Sequence, residues 1–179
     1  MTTGLTWRLA EPADVPTVNA LTARSIRALH AESYDSAVID EAVRHAYGVD
    51  WQLVRDGTYF VAEDGPMVVG AGGWSYRQTI AGAHGPDDPA ADLLDPAHDA
   101  ARVRAFYVDP QYVRRGVGAL LLRVSEEAAR EAGFMEAELT STLPAVPFYA
   151  AFGYCPVETF NMQLPNGSVL SLELMNKRL

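Results

Sequence analysis

The sequence predicts an α/β fold of the mixed, α+β kind, built as one domain over residues 1–179, and three observations carry that expectation. Segments rich in β-branched and aromatic residues alternate with segments whose apolar residues recur at helical spacing. Two pairs of the strand-like segments are joined by short turn sequences, Gly65-Pro66 and Pro165-Asn166-Gly167, which predict antiparallel hairpins. No repeat, low-complexity tract or linker divides the 179 residues, and a hydrophobic content of 49% suffices for a sizeable core.

In chain order, Leu5, Trp7 and Leu9 alternate with polar neighbours in "LTWRLA", a first strand. "EPADVPTVNALTARSIRAL" then places Pro12 in a first turn and Val15, Val18, Leu21 and Ile26 near helical spacing. After the polar connection "HAESY" (30–34), "DSAVIDEAVRHAYG" predicts a second helix. Val38, Ile39, Ala42, Val43 and Ala46 fall on one side of it, and Gly48 is its stop. "GTYFVAED" and "MVVGAGGWSYR" form the first hairpin. From Gln78 to Ala100 the composition turns to Gly, Pro, Asp and Ala, a loop whose length marks function or mobility. Its simplest account is a solvated flap. His84, His98 and the aspartates there lack a recognised ligand spacing, so no metal is expected. "ARVRAFYV" is a strand ending at Asp109-Pro110, and a helix follows over about 116–132, with Val117, Leu120, Leu121, Val124 and Ala128 as its apolar stripe. "EAELTST" is a strand, "AVPFYAAFG" a short helix, and "PVETFNMQL" with "SVLSLELM" the closing hairpin.

A formal charge of −9 and a pI near 4.8 argue against nucleic acid and are compatible with a cationic small molecule. The single cysteine, Cys155, excludes an internal disulfide, reads as a small buried hydrophobe and fits a reducing cytoplasm. Nothing near Met1 has the pattern of a signal peptide, and no apolar run approaches the roughly 18 residues that span a bilayer. A soluble, cytoplasmic protein with no membrane partner is expected.

The most informative stretch is "VDPQYVRRGVGALLL", residues 108–122. A P-loop needs Lys and then Ser or Thr after its last glycine, but Ala119 and Leu120 follow Gly118. The dinucleotide fingerprint needs a third small residue where Leu121 stands. What survives is a helix start whose free N–H groups and dipole favour an anion such as a phosphate. Residues 102–115 add Arg102, Arg104, Arg114 and Arg115 against one acid, Asp109. On spacing alone, a tight strand-to-helix turn with solvated arginines remains an equal reading.

Three pieces in this order, "RLAEPAD" (8–14), "VDPQYVRRGVGALLL" (108–122) and "PFYAAFGY" (147–154), resemble the GNAT superfamily of acetyl-CoA-dependent N-acyltransferases. "GTYFVAED", "VVGAGGW" and "RAFYVDP" resemble a bacterial subgroup of undefined substrate. The resemblance implies a mostly antiparallel sheet of about seven strands, splayed between strands four and five and flanked by about four helices. Val113 stands where the family commonly has Arg or Gln, which removes a side-chain contact but leaves the backbone N–H groups. Thr142 stands where Asn is frequent.

By the same resemblance the cosubstrate is acetyl-CoA, with no metal. Phe106, Tyr107, Val108, Val113, Arg114, Arg115, Gly116, Val117, Gly118, Ala119, Thr142 and Tyr149 are then expected to hold it. The Val108 N–H is the expected oxyanion donor and Tyr149 the general acid. The base stays open between Glu63, Glu138, His84 and a water chain. The acceptor, a primary amine of a small molecule or peptide, is expected near the first two helices, with His30, Glu32, Tyr34 and Trp74 as contacts. The alternative is a non-catalytic acyl-CoA sensor. Relatives are often dimers, and the apolar residues Leu170, Leu172 and Leu174 serve either a core or a homodimer interface.

Overall fold

A computed structural model describes residues 4–179, and its backbone is organised around one seven-stranded sheet of order β1-β2-β3-β4-β5-β7-β6. The strands are β1 (Leu5–Leu9), β2 (Tyr59–Asp64), β3 (Met67–Ser75), β4 (Ala101–Val108), β5 (Glu136–Thr142), β6 (Cys155–Gln163) and β7 (Val169–Arg178). All neighbours pair antiparallel except β4 and β5. Those two are joined by a crossover through a helix, the connection a parallel pair requires.

Helices α1 (Val15–Leu29), α2 (Ser36–His45) and α3 (Trp51–Asp56) pack on one side, α4 (Val117–Glu131) and α5 (Val146–Ala151) on the other. On the first side, Val18 of α1 and Leu53 of α3 meet Tyr59, Val61 and Ala71. On the second, Val117, Leu121 and Val124 of α4 meet Phe60, Ala62, Val69 and Trp74. The period-2 alternation of strands sends successive residues to opposite faces, so one strand serves both cores.

Among the described residues five α-helices form where about four were expected. The addition is α3, capped by the Asp50 carboxylate, which accepts from Gln52 N–H at 2.9 Å, and closed at Gly57. Its signal was present as an aspartate before Trp51, Leu53 and Val54, in a stretch short enough to pass for a loop. One smaller expectation also fails. Cys155 is exposed rather than buried, because it opens an edge strand whose first residues all face solvent. Leu170 and Leu172 are core, packed with Ala42, Ala46 and Leu164 between β7 and α2. No helix among the described residues is long and apolar enough to cross a membrane.

The feature that positions the site is the failure of β4 and β5 to stay together. They pair only at Ala101↔Ala137 and Arg102↔Glu138. Beyond that point β4 carries a bulge in which Ala105 and Phe106 face the single residue Gly72 of β3, and Ala105 takes φ 55°. A bulge bends its strand and raises its twist, carrying Val103–Val108 away from β5. Gly72 permits it, since a Cβ there would lie 2.8 Å from the Phe106 ring. The Tyr59 hydroxyl donates to the Ala105 carbonyl at 3.0 Å and holds the unusual backbone in place.

Candidate functional site

The gap between β4 and β5 is a cleft of about 680 Å³ that reaches both sides of the sheet. Its α4 side is made by the turn from Tyr112 to Ala119 with Thr142, Phe148 and Tyr149. Its α1 side is made by Ile26, Leu29, His30, Tyr47, Ile80–Ala83, Met162, Leu170 and Leu172. Phe106 and Val108 of β4 belong to the first side and Tyr107 to the second, by strand alternation.

The turn is built from the backbone outward. Asp109 accepts from Gln111 N–H at 3.0 Å and pairs with Arg24 of α1 at 2.8 Å, which fixes where β4 ends relative to α1. Arg114 and Gly116 both have positive φ, 60° and 87°. The N–H groups of Val113, Arg114, Gly116, Val117, Gly118 and Ala119 meet no acceptor among the described residues, and the first α4 bond runs from Leu120 N–H to the Gly116 carbonyl at 2.9 Å. Successive unpaired amides at a helix start form a concave anion site. Open space surrounds Gly116, where a Cβ would meet nothing within 4 Å. The arrangement fits a diphosphate.

Val108 offers a second donor. Asp109 N–H bonds to the Val69 carbonyl of β3 at 2.9 Å. Adjacent residues of a strand point their amides to opposite sides, so Val108 N–H points toward the gap that β5 has left. Tyr149 faces the same space from α5, buried and packed edge-on against Phe106, Phe148 and Tyr154. Burial, with Tyr107 adding to it, raises its phenol above the ordinary tyrosine range, so it stays protonated near neutrality.

Of the expected site residues, Phe106, Tyr107, Val108, Val113, Arg114, Gly116, Val117, Gly118, Ala119, Thr142 and Tyr149 all line the cleft. Arg115 does not: its guanidinium lies over the Tyr112 ring at 4.9 Å. Arg102 pairs with Glu138 and Arg104 with Asp50, so of the four arginines Arg114 is the one that lines this cleft without an ion-pair partner among the described residues. Trp74 stacks edge-on with Tyr76 and Phe134 in the core beneath α4, away from the cleft. Glu32 is exposed outside it. Tyr34 supports the wall instead of lining it, donating to the Ser171 carbonyl at 2.7 Å and accepting from Leu143 N–H at 2.9 Å. The three expected bases are all engaged elsewhere. Glu63 pairs with Arg8 at 3.0 Å, Glu138 with Arg102, and His84 lies 3.1 Å from Asp50.

Two residues gain importance from the structure. His30 is 6% exposed and lies against Tyr34 and Tyr47; burial drops its imidazole to about 4, so it is neutral at physiological pH. Arg104 is 5% exposed, with Nη1 2.7 Å from Asp50 Oδ2, a close ion pair whose angle falls short of a hydrogen bond. Its other nitrogen donates to the Gly82 carbonyl, and Thr140 Oγ1 donates to the Ile80 carbonyl at 3.2 Å. Those bonds strap the first part of the 78–100 loop across the gap from β4 to β5, so this part of the loop is a wall and not a solvated flap.

The site is thus set in a mixed α/β sheet, split at its one parallel pair and floored by a helix start of unpaired amides. The acetyltransferase (GNAT) family model matches residues 23–154, and the chain belongs to that family. A GCN5-related N-acetyltransferase from Rhodopseudomonas palustris is similar over 97% of this chain and 95% of its own, at 22% identity and a TM-score of 0.72. The PaiA N-acetyltransferase from Thermoplasma acidophilum, in complex with coenzyme A, is 13% identical over 98% and 99% of the two chains with a TM-score of 0.67. YncA from Salmonella typhimurium, with its cofactor acetyl-CoA, is 18% identical over 98% and 94% with a TM-score of 0.61. None of the curated proteins matches significantly.

Proposed function

We propose that residues 1–179 act as one cytoplasmic acetyl-CoA-dependent N-acetyltransferase, moving the acetyl group to a primary amine of a small molecule or peptide by direct attack in a ternary complex. The observation that carries the reading is the convergence of three features on one cleft: the unpaired amides of 113, 114 and 116–119, the outward Val108 N–H and the protonated Tyr149. The Val113–Ala119 amides and Arg114 would hold the diphosphate, with Phe106, Tyr107, Val108 and Thr142 along the rest of the cofactor. Bound acetyl-CoA supplies an activated acyl group as a thioester. Val108 N–H donates to the oxygen that gains charge as the C–N bond forms. Tyr149 O–H gives its proton to sulfur as the C–S bond breaks, and the proton released by the amine restores it through solvent. A cleft open on both sides of the sheet admits the two reactants together, which supports direct attack over a covalent relay.

Calorimetry with coenzyme A and a thiol-trapping assay of its release test the proposal. Tyr149→Phe should lower kcat by about 100-fold or more while sparing coenzyme A affinity. Binding of coenzyme A with no turnover on any amine would instead favour the non-catalytic sensor, and no binding would sink both readings.

A further inference from the structure

The α1 side of the cleft has a chemical character that the acidic composition conceals. The chain holds 23 Asp and Glu residues, yet none of them lines the cleft. The wall on that side is Ile26, Leu29, Tyr47, Ile80, Met162 and Leu172, supplied by α1, the end of α2, the strapped loop and the β6–β7 hairpin. Its polar side chains carry no negative charge: Ser25 and Tyr47 offer neutral hydroxyls, His30 is a neutral imidazole, and Arg104 is itself cationic and already paired with Asp50, which has no exposed surface. Any further ammonium group of a polyamine or aminoglycoside that is seated against this wall meets no counter-charge there, which is unfavourable. An amine on an apolar body meets no such penalty, and the same surroundings favour its uncharged, nucleophilic form.

We infer that the acceptor of this enzyme is a monoamine carried on an aromatic or aliphatic body, seated between Leu29, Tyr47, Ile80 and Met162 with its nitrogen toward Val108. The inference rests on the acetyltransferase reading and names the acceptor for it.

The test uses the full chain and separates the two layers. Calorimetry with coenzyme A comes first, because loss of that binding would count against the acetyltransferase reading itself. On the coenzyme A complex, 2-phenylethylamine should then bind with an affinity little changed between low and high salt, whereas recognition by charge would weaken steeply. In turnover, 2-phenylethylamine and hexylamine should exceed spermidine in kcat/KM by about tenfold or more, the scale of discrimination an apolar pocket provides. Leu29→Glu, at a position 39% exposed and so tolerant of charge, should narrow or invert that ratio without changing coenzyme A affinity. Coenzyme A binding together with a preference for spermidine, or with no binding of 2-phenylethylamine, overturns the acceptor assignment and leaves the family function standing.

Discussion

The two sides of the cleft are built by different means. The α4 side works through main chain: a short contiguous segment, 113–119, turns its amides outward at two positive-φ residues, and the side chains matter mainly by staying out of the way. The α1 side works through side chains drawn from positions as far apart as Ile26 and Leu172, held by a buried ion pair and a strapped loop. The first is a local device that one stretch of chain can specify. The second exists only once distant segments have packed. Thus the same cleft can keep one guest while the other varies, since changes at 26–47, 80–83 or 162–172 need not touch the turn.

That contrast can be broken from either side. The largest effect is expected at Arg104→Met, which leaves the Asp50 carboxylate buried without its cation and should cost about 3–5 kcal/mol in urea unfolding. A loss under about 1 kcal/mol would mean that His84 and the loop hold Asp50 unaided. A smaller effect belongs to His30. The unfolded chain takes a proton at 6.5 and the folded one only at about 4, so protonation favours unfolding across that window. Stability present above pH 6.5 should fall by roughly 2–3 kcal/mol on acidification to pH 4, and His30→Gln should remove that part of the slope. Parallel melting curves for the two proteins would show that the ring is hydrated after all. The smallest is Gly116→Val. A branched side chain at φ 87° should strain the turn by ~1–2 kcal/mol and weaken coenzyme A about tenfold by calorimetry, with acceptor preference unchanged. A shift in acceptor preference would show that the two sides are not independent.

Much of the fold was legible because its cues are local. The seven strands fall where alternation and turn sequences put them, and Ala101–Val108 and Glu136–Thr142 agree residue for residue with the segments read as strands. The turn at 113–119 was legible as a strand-to-helix junction for the same reason, although its spacing alone left a plain tight turn an equal reading. The α1 side was read less well. Trp74 looked available as a contact, but strand parity turned it beneath α4. Glu32 was expected as an acceptor contact, but it sits beyond the wall. Charge counting over 102–115 suggested four free arginines, and three found partners on β5, at Asp50 or on the Tyr112 ring.

By itself the sequence determined the period of each element, the hairpin turns and the glycine-bearing start of α4, because dihedral preference and side-chain spacing act over a few residues. Tertiary structure decided the bulge that parts β4 from β5, the neutral state of His30, the Arg104–Asp50 pair and the absence of carboxylates from the cleft. Those are matters of burial and of which distant groups meet, and solvent exposure is settled only when the sheet has closed around them.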